Sequence, residues 1–151
     1  MPEKAKDNWF TLRGRPLQAW VKVHLWLYRR TGGRVLYRMR KMPTVLVTTT
    51  GRKSGRRHTV PLPYFRDGSA PVVVGSFAGN ERHPAWVLNL QADPRVTVQD
   101  RSDIYDARAE VLTGIDRTAV WDRLIEQSPW YADYQRQTAR ELPLVRLVRE
   151  T

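Results

Sequence analysis

Residues 45–65 read VLVTTTGRKSGRRHTVPLPYF, two strand-like segments joined by a basic turn that glycines bound on both sides. The β-branched run 45–50 predicts one strand, and 59–65 predicts a second. Pro61 and Pro63 place the second strand at an edge or a bulge, because proline cannot donate to a ladder of hydrogen bonds. This pair of strands makes a sheet the centre of the predicted fold.

The sequence on either side of this pair continues the same short-turn pattern. A hairpin turn at 66–69 leads to a Val-rich strand, and two further strands flank the turn 100–103. The remaining predicted elements are strands at 71–76, 95–99, 104–112 and 144–148 and helices at 84–92, 116–127 and 130–138. Strands that follow one another through short turns run antiparallel, so the predicted class is α+β with a small barrel or strongly curled sheet.

An amphipathic helix is predicted for 15–30, where apolar residues recur with helical spacing and Gly32-Gly33 ends the pattern. Such a helix is about 24 Å long, too short to cross a bilayer but able to lie on one. We expect residues 1–14 to form a flexible segment and residues 15–151 to form a single domain. No apolar region follows the charged N-terminus, so no signal peptide is predicted.

The charge is concentrated in the first half of the chain. Lys and Arg number 26 against 15 Asp and Glu, and residues 1–66 hold 16 of the basic residues but only 2 acidic ones. Such a surface faces an anion, whether nucleic acid, anionic lipid or a phosphorylated small molecule. The chain has no cysteine, which excludes disulfides, thiolate catalysis and Cys-ligated metals. The three histidines lack metal-ligand spacing, so no metal site is predicted.

Three segments are candidate sites, each with a plainer alternative. The turn 51–57 has four cations and two glycines, which suit an anion cradle or simply a solvated hairpin tip. The loop 75–80 precedes a helix and suits an anion or a carbonyl, or is an ordinary connection. The aromatic cluster Trp130, Tyr131 and Tyr134 is more often core than ligand platform, although its tyrosines bring hydroxyls near a polar stretch.

Taken together, VTTTGRKSGRRHTVPLPYFRDG, VVVGSFAGNERHPAWVLNLQADPRVTV and SPWYADYQRQT resemble the deazaflavin (F420)-dependent nitroreductase and quinone reductase family of actinobacteria. The resemblance extends from about Trp20 to Arg149. It implies an FMN-binding-like split β-barrel of about six mostly antiparallel strands with flanking helices. It also implies that the coenzyme F420, which has a planar deazaflavin ring and a tail with a phosphodiester and carboxylates, lies across a groove of the barrel.

The same resemblance implies a set of site residues. Those implied to bind the coenzyme are Arg52, Lys53, Ser54, Arg57, His58, Thr59, Val60, Val74, Gly75, Ser76, Phe77, Ala85, Trp86, Val87, Leu88 and Asn89. Tyr131 and Tyr134 match aromatic residues on the acceptor side, and Tyr131, Tyr134, Ser76 or solvent would donate the proton. A chain without Cys, metal or catalytic triad is adequate for this role, because the coenzyme carries the redox chemistry.

The leading prediction is therefore an F420-dependent reductase that transfers a hydride to a quinone, an activated C=C bond or a nitroaromatic compound. The alternatives are a basic nucleic-acid-binding module and a split-barrel protein that holds FMN or haem. The expected partner is a small-molecule acceptor, with no nucleic acid. A homodimer and a peripheral membrane contact through helix 15–30 are left open. The expected location is the cytoplasm. If helix 15–30 does contact the membrane, the protein would lie at the inner face of the cell membrane.

Overall fold

The computed structural model describes residues 15–151, so the predicted flexible segment 1–14 lies outside the described residues. Seven antiparallel strands form its sheet: β1 Arg38–Met39, β2 Met42–Thr50, β3 Arg57–Asp67, β4 Ala70–Val74, β5 Arg95–Asp100, β6 Asp103–Val111 and β7 Leu144–Arg149. They lie in the order β1-β2-β3-β4-β7-β6-β5, and β2 also pairs with β5. Strands β2 to β7 thus close into a six-stranded barrel, which confirms the predicted split-barrel class; the short β1 was not predicted.

The helices cover the barrel and plug one part of it. They are α1 Arg15–Thr31, α2 Ala85–Ala92, α3 Gly114–Gln127 and α4 Trp130–Arg136, and a 3-10 turn spans Phe77–Gly79. Side chains of α2 join the inward-facing valines of the strands in one core cluster. A second cluster places α3 and α4 against β2, β4 and β7. Strands β4 and β7 contribute residues to both clusters and are therefore buried on both faces. Their sequences are accordingly rich in Val and Leu.

The two prolines of β3 lie where that strand has one neighbour. Residues 57–63 pair with β2, whereas pairing with β4 begins at Tyr64. Because proline has no N–H, Pro61 and Pro63 must turn their nitrogens away from β2, toward the unpaired side. The predicted edge position is therefore confirmed for this half of the strand, although β3 as a whole lies inside the sheet order.

Helix α1 is fixed to the barrel by Tyr28, which is fully buried. The Tyr28 hydroxyl donates to the Thr44 carbonyl at 2.9 Å and accepts the Arg101 N–H at 2.7 Å. The opposite face of α1 stays open, and Trp20 and Trp26 are 49% and 62% exposed. None of the helices in the described part of the chain is long and apolar enough to cross a membrane.

Candidate functional site

The basic loop, residues 51–58, is a compact turn between β2 and β3. The Gly51 N–H donates to the Arg56 carbonyl at 2.7 Å, and the Gly55 N–H donates back to the Gly51 carbonyl at 2.8 Å. A Cβ at Gly51 would lie 2.6 Å from Ser54 Oγ and 2.9 Å from His58 Nε2, so only glycine fits there. The tight turn leaves four cations exposed: Arg52, Lys53, Arg56 and Arg57.

Asn89 of α2 anchors this loop. Its Oδ1 accepts hydrogen bonds from the Arg52 N–H and from Arg52 Nη1, both at 3.2 Å. Its Nδ2 donates to Thr49 Oγ1 at 3.1 Å, at the end of β2. Asn89 is 4% exposed, and a buried amide is stable only with its hydrogen bonds made. The side chain therefore joins the barrel, the basic loop and α2 at one point.

The ring loop, residues 75–80, approaches the same helix from β4. The Gly75 N–H donates to the Pro143 carbonyl at 2.9 Å. A Cβ at Gly75 would lie 2.7 Å from Pro143 Cγ and 2.8 Å from Val87 Cγ2. Glycine is thus required by close packing against α2. Phe77 and Ala78 have φ angles of 44° and 51°, left-handed values that L-residues avoid.

The two loops meet on α2, and we name the surface that they form with Ala85–Asn89 the α2 site. Residues as far apart in the sequence as Arg52 and Asn89, which are 37 positions apart, are therefore brought together. The predicted coenzyme-binding residues whose positions belong to this surface are Arg52, Lys53, Ser54, His58, Gly75, Ser76, Phe77, Ala85, Leu88 and Asn89. The predicted residues that instead pack in or against the two core clusters are Val60, Val74, Trp86 and Val87.

Two predicted residues point to another face of the sheet. Arg57 donates to Thr50 Oγ1 at 2.9 Å and to Thr97 Oγ1 at 2.7 Å. Thr59 Oγ1 accepts a hydrogen bond from Arg29 of α1 at 3.0 Å. Side chains alternate along a strand, so Arg57 and Thr59 cannot share a face with His58 and Val60. The side-chain positions of Arg57 and Thr59 give no support to the coenzyme contacts predicted for them.

The predicted proton donors differ in how deeply their side chains are buried. Ser76 is half-buried, and its side chain makes no capping hydrogen bond to the 3-10 turn that it precedes. Tyr134 is half-buried beneath the Arg40 guanidinium, which lies 5.7 Å from its ring centroid. Tyr131 is 3% exposed, its hydroxyl lies 3.8 Å from Met42 Sδ, and burial raises its pKa to about 12. Its position supports a packing role, and its predicted role at the acceptor stays a prediction.

The electrostatics of the α2 site favour an anion. Among the residues that the structure describes, Arg52, Lys53 and Arg56 form no ion pair with a carboxylate. The sequence has no acidic residue from position 8 to position 66. Uncompensated cations on a tight turn are what a phosphate or carboxylate needs.

Sequence reasoning missed Arg140, whose guanidinium donates hydrogen bonds to carbonyls of the ring loop. It lies in an irregular segment after α4, where no periodicity marks a functional side chain. Two open depressions, of about 480 and 640 Å³, lie away from the α2 site. One is on α1 around Trp26 and the other follows α1 around Tyr37. Neither depression is lined by a residue of the α2 site.

Comparison with known proteins finds relatives that match most of this chain. The F420H(2)-dependent quinone reductase family model matches residues 20–149. An F420H(2)-dependent quinone reductase of Mycobacterium tuberculosis is 33% identical over 133 residues, covering 85% of this chain and 89% of that protein. A solved F420-H2 dependent reductase, FDR-A, is 39% identical with a TM-score of 0.63, covering 70% of this chain and 93% of the other. A protein solved as a domain-swapped dimer is 35% identical with a TM-score of 0.67, covering 86% and 98%.

Proposed function

Since the chain belongs to the F420H(2)-dependent quinone reductase family, we propose that it binds F420 at the α2 site and reduces a quinone there. The observation that supports this location is the junction of two loops on one short helix. Asn89 holds the basic loop, and Val87 packs on Gly75 of the ring loop. The basic loop and the small-residue loop thus contact α2 at positions that are two residues apart.

The residues present fit the two ends of the coenzyme. The phosphodiester and carboxylates of its tail need cations and N–H donors, which the exposed Arg52, Lys53 and Arg56 provide. A planar ring needs a surface without protruding side chains, and Gly75 and the exposed Ala85 provide the smallest ones available. The site therefore has a charged end and an uncharged end in the order that the coenzyme requires.

When bound, reduced F420 supplies the hydride that reduces the acceptor. The chain's own contribution is to hold the reactants in reach of each other, which supplies much of the rate acceleration in such reactions. Ser76 lies in the ring loop, and its hydroxyl makes no capping hydrogen bond to the 3-10 turn, so it is the protein group that we propose as proton donor to the reduced acceptor. Tyr134, half-buried on α4, is the second proposed donor.

A direct test is the oxidation of reduced F420 by menadione, a small quinone, with purified protein. A nitroaromatic compound and a cyclic enone serve as competing acceptors, and FMN replaces F420 in a parallel titration. We expect F420 to bind more tightly than FMN and menadione to be the best acceptor. Tighter binding of FMN, or no quinone-dependent oxidation of reduced F420, would contradict the proposal.

We further propose that the exposed face of α1 contacts an anionic membrane surface. Trp20, Val23 and Trp26 are each about half or more exposed. Lys22, Arg29 and Arg30 lie on the same helix, and no acidic residue accompanies them. Tryptophan and arginine together suit the interface between lipid headgroups and acyl chains.

Vesicle co-sedimentation tests this contact. We expect binding to vesicles that contain phosphatidylglycerol and weaker binding to phosphatidylcholine alone. Trp26→Ser should reduce binding, whereas Ile115→Ser, at an exposed site on α3, should not. The proposal is contradicted if the protein does not bind vesicles and sedimentation velocity shows a dimer that Trp26→Ser dissociates. In that case this face of α1 is a subunit interface.

A further inference from the structure

One guanidinium holds much of the ring loop and its continuation. Arg140 Nη1 donates to the Gly75 carbonyl at 3.0 Å, Nη2 to the Ser76 carbonyl at 2.8 Å and Nε to the Asn80 carbonyl at 2.7 Å. Nη1 also lies 3.1 Å from His83 Nδ1. Burial and then the charge of Arg140 lower the pKa of His83, so the neutral ring can accept this hydrogen bond.

The geometry of these bonds needs arginine. Three nitrogens of one planar group reach three carbonyls of a single loop, and lysine has only one nitrogen to place. Arg140 is half-buried and forms no ion pair with a carboxylate in the described part of the chain. Its charge is therefore compensated by backbone dipoles of the loop, which makes these bonds stronger than bonds between neutral groups.

The ring loop would not keep its shape without such a restraint. The consecutive residues Phe77 and Ala78 hold left-handed φ angles of 44° and 51°, which L-residues avoid. Gly79 packs so closely on α4 that a Cβ there would lie 2.8 Å from the Tyr134 carbonyl. The loop is thus a strained segment held between α4 and Arg140.

We infer that Arg140 is a positioning residue, which fixes the ring loop before the coenzyme binds and so sets Ser76 against the ring and the acceptor. This inference rests on the proposed function for its effect on the reaction, because the loop would otherwise have nothing to position. Binding of the coenzyme tail depends on a different anchor, Asn89 under the basic loop. Loss of Arg140 should therefore affect hydride transfer more than coenzyme affinity.

The first readout uses the protein without coenzyme. The Gly79 and Asn80 amides donate to the Ser76 and Phe77 carbonyls at 2.9 and 3.0 Å, so their hydrogen exchange reports the closed loop. We expect these amides to exchange at least about tenfold faster in Arg140→Gln, a change of about 1.4 kcal/mol in opening free energy. Exchange at the wild-type rate would overturn the inference whether or not F420 binds.

A matched control is Arg117→Gln. Arg117 is also a mostly buried arginine that donates to a backbone carbonyl, that of Leu142, at 2.7 Å. It holds the segment before β7 but does not touch the ring loop. We expect Arg117→Gln to lower the free energy of unfolding without specifically accelerating exchange at Gly79 and Asn80. If both variants accelerate those amides equally, Arg140 acts on general stability and not on the loop.

The second readout uses the coenzyme-loaded protein. In Arg140→Gln we expect the single-turnover rate of reduced F420 oxidation to fall by about 10- to 100-fold, and the F420 dissociation constant to rise by no more than about threefold. Guanidinium added at low millimolar concentration to Arg140→Ala should restore part of the rate. Arg140→Lys keeps the charge and replaces the other variants if they fail to fold. Its single-turnover rate should also be lower than that of the wild-type protein.

The outcomes separate the two proposals. No F420 binding by the wild-type protein would overturn the proposed function, while the exchange experiment still decides what Arg140 does to the loop. A normal turnover rate in an Arg140→Gln protein whose loop amides exchange quickly would overturn the positioning role. A loss of coenzyme affinity as large as the loss of rate would also overturn it, because Arg140 would then be a general binding determinant.

Discussion

Asn89→Ala is the substitution that isolates the junction between the basic loop and α2. It removes the acceptor of two hydrogen bonds from Arg52, each 3.2 Å long, and the donor of a 3.1 Å bond to Thr49. At about 0.5–1.5 kcal/mol for each hydrogen bond, and with alanine's better helix propensity returning about 0.6 kcal/mol, the expected loss of stability is about 2 kcal/mol.

This loss is measurable by urea unfolding. With a urea dependence of about 2 kcal/mol per molar, the unfolding midpoint should fall by about 1 M. The basic loop then loses its anchor, so the F420 dissociation constant should rise about tenfold, a loss of about 1.4 kcal/mol in binding. Fluorescence titration with the coenzyme measures this second effect independently of the first.

Gln99→Ala is the control, because it removes a side-chain amide that donates only to the Arg101 carbonyl at the turn between β5 and β6. It should lower stability by less than about 1 kcal/mol and leave coenzyme affinity unchanged. The reasoning is refuted if Asn89→Ala loses stability as expected and yet binds F420 as tightly as the wild-type protein. In that case α2 does not position the basic loop for the coenzyme.

Four other substitutions follow from the same structure. Lys53→Ala should weaken F420 binding and make the F420 dissociation constant less dependent on salt. Arg57→Ala should change that dissociation constant little, because the Arg57 side chain is hydrogen-bonded to β2 and β5. Coenzyme titrations of both variants at low and high salt test these expectations. Gly75→Ala places a Cβ 2.7 Å from Pro143 Cγ, so thermal unfolding should show a loss of about 1–3 kcal/mol from overpacking. Burial raises the pKa of Tyr131 to about 12 in the folded protein, compared with about 10 in the unfolded chain. The resulting contribution to the free energy of unfolding is therefore complete below about pH 10 and is lost as the pH rises toward 12. Tyr131→Phe should remove that alkaline loss and keep turnover at neutral pH; a fall of about 10²–10³ in turnover would instead support the donor role predicted from the sequence.

The barrel could be predicted because its strands carry local signals. The valines of 45–47 and 72–74 and the turn at 66–69 mark strands and hairpins without any knowledge of tertiary structure. The two-residue β1 carries no such signal, because its pairing depends on the β2 strand that it meets. The double pairing of β2 that closes the barrel is likewise a long-range property.

The candidate site was predicted in part, for a comparable reason. The glycine-bounded basic loop and the helix at 84–92 are local patterns, and the resemblance to a family connects them. The orientation of Arg57 follows from the register of β3, which begins two positions earlier than the predicted strand. Arg140 acts through backbone carbonyls of a distant loop, and such contacts leave no trace in the residue types of that loop.

The footprint of F420 on the amides of the protein tests the location of the site most directly. Hydrogen exchange with and without saturating coenzyme would be compared along the whole chain. The structure predicts that protection is confined to residues 51–58, 75–80 and 85–89, with no change in α1. Protection around Trp26 or Tyr37, where the open depressions lie, with none at the basic loop, would contradict the assignment of the α2 site.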